Sequence, residues 1–278
     1  MSWESLTSES GIRMSFFFGI LLVMSCWELL APRKKLTANK PLRWASNLGL
    51  TFLNSIVLRI LIPLGAVSVA EVVEIYGWGL FHQLGIPVWL KILVAVVLLD
   101  CAIYWQHVVS HKIPMFWQFH KVHHVDLNID VTTGSRFHTV EILLSFAFKL
   151  VLILIFGIAP DAVLIFEIML NGTAMFNHSN VFLPLWIDKV LRLFLVTPDM
   201  HRVHHSVLQN ETDSNYGFNL PWWDYLFHTY IPQPKEGHDG MTIGLKNYQT
   251  KKAEQLPWML LFPFQAKKEE ENSSHKNE

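Results

Sequence analysis

The stretch from Val88 to His111 reads VWLKILVAVVLLDCAIYWQHVVSH. Its first part is apolar and long enough to cross a bilayer as a helix, which takes roughly 20 residues. Its last turn is different. His107 and His111 are four apart, so on a helix they share one face. A membrane helix that ends in a histidine pair sets the expectation for the whole chain: a helical bundle with a metal-binding cap at one end.

Working outward, other runs have the same apolar character. Met14 to Leu30 is one. It has no basic stretch ahead of it and no A-x-A-like site behind it, so it is read as an anchor and not as a cleaved signal. Leu48 to Val72 is a second, interrupted by Arg59, Pro63 and Gly65. Val88 to Val108 is the third and Ile142 to Ile158 the fourth. Pro160 and Asp161 then mark a turn before a fifth, shorter run from Ala162 to Phe176. Leu183 to Val196 is too short to span and suits a helix lying in the interface, with Asp188, Lys189 and Arg192 on its wet face. The expected fold class is all-α: an integral membrane bundle of about four to five spanning helices with a cytoplasmic histidine-box cap.

Lys and Arg favour cytoplasmic loops. Arg33, Lys34, Lys35, Lys40 and Arg43 follow the first run, which places that loop in the cytoplasm. Counting onward, the third run returns to the cytoplasm and the fourth and fifth go out and back. Every clustered histidine then falls on the same side. The tail from Lys267 to Glu278 is charged, lacks aromatics and is expected to be disordered. The organisation is read as N-terminal membrane helices over 1–88, a catalytic segment over 89–232 and a C-terminal segment over 233–278.

Composition excludes several functions. Hydrophobic residues make up 51% of the 278 and the formal net charge is −1, so nucleic acid is not an expected partner. The two cysteines, Cys26 and Cys101, lie in apolar runs and read as packing residues. Any transition metal must therefore be held by nitrogen and oxygen. There is no P-loop and no dinucleotide fingerprint.

The chain has 14 His, and ten of them lie between His107 and His205. After His107 and His111 comes His120-x-x-His123-His124, then His138, then His178, then His201-x-x-His204-His205. Each of the two H-x-x-H-H boxes is read as offering three imidazoles to one side of one helical turn. Imidazole suits iron, copper, zinc and nickel. Eight or nine ligands exceed what one ion takes, so two ions are expected. His178 is placed after Asn177 to complete the set. His138 can be a ligand or can stand behind the ligands with Arg136 and Glu141, and the second role is adopted. Metal-bound histidines usually donate their other ring N–H. Asp126, Asp130, Glu141, Asp199 and Asp213 are near enough in sequence to accept it, or to serve as caps. His82 and His228 read as isolated core or interfacial residues, and His238 and His275 as solvated.

These boxes resemble the fatty acid hydroxylase and sterol desaturase superfamily of membrane di-iron enzymes. The flanking residues agree: Asp100 and Tyr104-Trp105, Trp117, Arg136-x-His138-x-x-Glu141, Asn177-His178, Asn215-Tyr216-Gly217, Trp223-Asp224 and Thr229-Tyr230. The resemblance covers about residues 90 to 232. Val108, Thr139 and His228 depart from residues common in the family, which leaves the subfamily open. The resemblance implies two iron ions held by His107, His111, His120, His123, His124, His178, His201, His204 and His205. Arg136, His138, Glu141, Asn177 and Asp199 would support them. It implies an O2-dependent oxidoreductase that hydroxylates or desaturates an unactivated C–H bond of a lipid drawn from the bilayer. Zinc can replace iron in purified material. No flavin or nicotinamide motif is present, so electrons are expected from an external reductase, ferredoxin-like protein or small haem protein. A bacterial inner membrane is the simpler location, with an ER membrane open. The alternative is a non-catalytic membrane protein that binds or transports metal.

Overall fold

The computed structural model describes the backbone of residues 8–274 and the side chains of 8–265. Among these residues it is all-helical, with only two isolated β-bridges. The charged tail and His275 lie outside the described side chains.

Local chemistry sets the helix boundaries. Helix α1, Glu9–Leu30, starts where the Ser8 side chain accepts from Gly11 N–H. Helix α2, Lys40–Leu61, is capped by Asn39 with Pro41 in its first turn. The second apolar run does not continue as one helix. Pro63 offers no N–H and Gly65 no side chain, so the chain breaks and restarts as α3, Ala66–Tyr76. Helix α4, Val88–Lys112, is the long helix of the opening stretch. Pro114 starts α5, Pro114–His124, directly after it, so the chain turns a corner at Ile113. Helix α6, Thr139–Phe156, takes His138 as its N-cap, and Gly157 ends it in the left-handed region at φ 68°. Helix α7, Pro160–Asn177, follows at once. Two short helices then carry the last box and its approach, α8 at Leu185–Leu191 and α9 at Pro198–His204. Helix α10 covers Leu256–Ser274.

Among the described residues, four segments are long and apolar enough to cross a membrane: Glu9–Leu30, Lys40–Gln83, Val88–Lys112 and Thr139–Phe156. They surround a core in which Ala70, Leu99, Ile153, Val163 and Phe166 have at most 1% of their surface exposed. Outside, large apolar side chains such as Leu22, Phe52, Ile75 and Ile155 face outward, as a bilayer-embedded surface does.

The two ends of the bundle differ. At one end Gly79 and Gly157 press backbone to backbone, and a side chain on Gly79 would collide with Gly157. At the other end the helices meet through charge. Glu28 Oε1, near the end of α1, accepts from the backbone N–H of Val131 and of Asn180, each at 2.7 Å. Arg43, in the first turn of α2, is 1% exposed and spans Asp126 at 2.9 Å and Asp130 at 2.6 Å. A buried pair of this kind fixes the approach of two segments, because separating them strands a charge. Asp100 of α4 accepts from Trp223 Nε1 at 2.7 Å. All histidine boxes sit at this charged end.

Two expectations are corrected here. Helix α8 does not turn Asp188 and Arg192 to water. They are 3% and 5% exposed and pair with each other at 2.7 Å. Asp188 also accepts from Thr197, and Arg192 donates to Pro232 O. Lys189 is exposed as expected, but it shares the outward face with Leu185, Trp186, Leu193 and Phe194. An i, i+4 ion pair that satisfies itself can be buried, and the pattern of charge alone did not reveal that. His238 is likewise not solvated. It is 6% exposed, with Nε2 3.7 Å from Asp199. Both cysteines are free thiols.

Candidate metal centre

The nine histidines expected as ligands all converge. They form two groups whose donor atoms lie within 4.8 Å of one another: His107, His111, His120, His124 and His204 in one, His123, His178, His201 and His205 in the other. The H-x-x-H-H spacing acts differently from the reading of three imidazoles on one side. Adjacent helical residues point about 100° apart. Each box therefore divides. His120 and His124, four apart, join the first group while His123 crosses to the second. In the last box His201 and His205 join the second group and His204 crosses to the first. The groups touch where the boxes divide: His124 stacks on His205 with centroids 4.5 Å apart.

Backbone carbonyls orient four of the nine rings. His107 Nδ1 lies 2.8 Å from Tyr216 O, His123 Nδ1 3.3 Å from Arg136 O, His178 Nδ1 2.7 Å from Ala174 O and His204 Nδ1 2.7 Å from Ser214 O. A carbonyl only accepts, so each of these Nδ1 atoms carries the proton and each Nε2 presents a lone pair. His120 is held the same way by Glu141 Oε1 at 2.6 Å. Of the five carboxylates considered from sequence, Glu141 alone makes this close bond. Asp213 stands 3.6 Å from His111 Nδ1. Asp126 and Asp130 serve Arg43, and Asp199 serves Arg33 and Arg202. Those carbonyl acceptors have no sequence signature, because every residue has one.

The consequence is an unusual approach. His107 Nε2 faces His120 Nε2 at 3.1 Å, and His178 Nε2 faces both His123 Nε2 and His201 Nε2 at 3.0 Å. In the 107–120 and 123–178 pairs both Nδ1 atoms already donate, so two lone pairs meet with no proton between them. Burial, then the neighbouring imidazoles, holds His123, His124, His201 and His205 well below the ordinary imidazole range, and His204 at about 3. These rings are neutral at neutral pH. Further ring nitrogens of His111, His124, His204 and His205 are buried with no partner. Neutral, buried, mutually facing lone pairs are stable around a cation. Two nitrogens bound at right angles to one ion, with bonds of about 2.0–2.1 Å, would be roughly 3 Å apart, which matches these separations. The donor set fits two first-row ions held by imidazole.

The supporting residues divide. His138 belongs to neither group; its Nδ1 caps α6 and its Nε2 lies 3.3 Å from Leu260 O. Arg136 is fully buried and donates to Val122 O at 2.9 Å and Ala253 O at 2.7 Å, so it fixes the carbonyl that receives His123. Asn177 donates to Phe218 O. Asp199 is part of an ion cluster beside the site, not a partner of a site histidine. The residues after the last box build the wall behind it. Asn215 adopts φ 48° and bonds Met200 O and Ile231 O. Asp224 accepts from the N–H groups of Tyr216 and Gly217, each at 2.8 Å. Tyr104 and Thr229 share a hydrogen bond at 2.9 Å. Sequence reasoning missed Arg43, which braces Asp126 just after the second box; its place in a basic loop read only as a topology signal.

Comparison with known proteins agrees with this arrangement. Residues 92–229 match the fatty acid hydroxylase family model. An ornithine lipid hydroxylase of Rhizobium tropici is 28% identical over 158 residues, 56% of this chain and 47% of that protein. An alkylglycerol monooxygenase of Danio rerio is 30% identical over 179 residues, 63% of this chain and 39% of its own. Its counterpart in Xenopus tropicalis is 27% identical over 222 residues, 76% and 46% respectively. The chain thus spans less than half the length of these relatives. No solved structure matches.

Proposed function

We propose, on the premise that residues 92–229 are a fatty acid hydroxylase domain, that this chain is a membrane-bound, O2-dependent lipid hydroxylase. The observation that carries the proposal is the pair of histidine groups with facing lone pairs. His107, His111, His120, His124 and His204 would hold one iron, and His123, His178, His201 and His205 the other. Bound iron would supply the reduction of O2 and the oxidant for an unactivated C–H bond, which no acid or base on this chain could break.

The chain's own residues do the rest. The carbonyls of Tyr216, Arg136, Ala174 and Ser214 hold the rings in the ligating tautomer. Glu141 does the same for His120 and faces the cavity beside it. Phe137 and Phe218 give that cavity apolar walls, which keep water from the reacting carbon. The relatives are a hydroxylase and monooxygenases of polar lipids, which favours hydroxylation over desaturation. The basic residues between α1 and α2 favour a cytoplasmic site, with electrons from a separate donor protein. The metal-transport alternative is disfavoured because the imidazoles gather at one end of the bundle and line no path along it.

The test is elemental analysis of anaerobically purified protein from iron-fed cells, followed by turnover with a chemical reductant, isotopically labelled O2 and lipid. Two irons per chain and label in the lipid product are expected. Product formed equally without O2 would end the proposal.

A further inference from the structure

The space on the membrane side of the histidines is divided in two. An inner cavity of about 230 Å³ reaches His107 and His120. An outer one of about 300 Å³ lies between α4 and α6, bounded by Trp105, Phe119 and Phe148. Trp105 and Phe148 are 45% and 37% exposed, so the outer chamber opens on the apolar mantle. Gln106, Ser110, Glu141 and Ser145 line both cavities. They stand at the passage between them.

This passage is polar at a level where its surroundings are not. Ser145 Oγ–H donates to Gln106 Oε1 at 3.2 Å, bridging α4 and α6 across it. Ser110 donates inside its own helix to Gln106 O. Glu141 is the informative member. One carboxylate oxygen takes the His120 ring N–H, and the other, Oε2, is buried with no partner. A buried carboxylate oxygen left unmatched is costly. An alkyl chain threaded through this passage would leave it so, and would also part Gln106 from Ser145 without replacing their bond. A lipid carrying an O–H or N–H would satisfy both.

We propose that Gln106, Glu141 and Ser145 form a polar collar that selects the substrate. It admits from the outer chamber a lipid whose oxidised carbon lies within a few bonds of an O–H or N–H donor. Glu141 Oε2 receives that donor, and Gln106 with Ser145 exchanges its mutual bond for bonds to the lipid. These are positioning residues: they set which carbon rests beside His107 and His120. This deepens the hydroxylase reading and rests on it.

The test uses the full iron-loaded chain in nanodiscs. Tritiated 1-O-hexadecylglycerol is displaced either by the same unlabelled lipid or by its 2,3-di-O-methyl derivative, which keeps the chain and removes both donors. The wild type is expected to bind the methylated lipid more weakly by roughly tenfold or more, as sites built to read a hydroxyl reject its absence. The Gln106→Leu, Ser145→Ala double variant, which leaves Glu141 in place, should narrow that preference by about half on a logarithmic scale or more, with the methylated lipid binding more tightly and the metal content unchanged. Ser145→Thr, which keeps the hydroxyl, should retain the preference. Equal displacement by the two lipids in the wild type would overturn the collar, as would a preference undiminished in the double variant. A separate turnover assay keeps the two readings apart. Preferential binding without oxygen insertion would sink the hydroxylase reading and leave the collar standing, whereas turnover without preference would do the reverse.

Discussion

The two H-x-x-H-H turns, in α5 and at the end of α9, have nearly the same sequence and the same local structure, with a proline at the first helical position of each. Their allocation is reversed. The α5 turn gives two rings to the first group and one to the second; the α9 turn gives one to the first and two to the second. What separates the groups is the remaining supply: α4 adds His107 and His111 to the first, while only His178 joins the second. Adjacent histidines on a helix thus let one turn serve two groups, and with metal bound as proposed the surplus on one side would make the two ions unequal.

The largest effect should come from removing one ring of each turn. His120→Ala with His201→Ala leaves four rings in the first group and three in the second. Metal analysis should show about one iron per chain and lipid turnover should be absent; two retained ions would break the comparison outright. Bracing comes next. Arg43 holds Asp126 behind the first turn, fully buried, whereas Arg33 holds Asp199 in the second with 15% of its side chain exposed and Arg202 as a second partner. Thermal unfolding in detergent should place Arg43→Ala about 3–5 kcal/mol below wild type, because it strands buried carboxylates. Arg33→Ala should lose about 1 kcal/mol or less.

The inequality of the groups is sharpened by single variants in the α9 turn. His205→Ala leaves three rings in the second group and should yield about one iron per chain. His204→Ala leaves four in the first and should keep close to two. A finer adjustment is read by Glu141→Ala, which removes the acceptor of one ring N–H. A fall in iron affinity of about 10–100-fold is expected in competition with a chelator, and no change would mean that carbonyls alone set the tautomers.

Much of this was legible beforehand, and unevenly. The spanning runs and the nine convergent histidines follow from hydropathy and from i, i+4 spacing, both of which act within one segment. The break of the second run was marked by Pro63 and Gly65. What could not be read depends on partners distant in the chain. The division of each box needs the two turns to face one another. The carbonyls of Tyr216 and Ser214 are chosen by the wall behind the last box, not by residue type. Asp188 and Arg192 looked like a wet face because their mutual pairing, and the Thr197 and Pro232 contacts that cover them, do not show in local charge.

The facing lone pairs carry one more consequence. Without a cation, His107 and His120 repel one another across 3.1 Å, and so do His123 and His178 across 3.0 Å. The repulsion is lodged where four separate segments of the chain converge. Metal loading and the consolidation of this end of the molecule are then one event. With iron as the bound metal, as proposed, the quantity of this protein should decline in an iron-starved cell through degradation of the loosened form. Its steady-state abundance would thereby act as a gauge of iron supply.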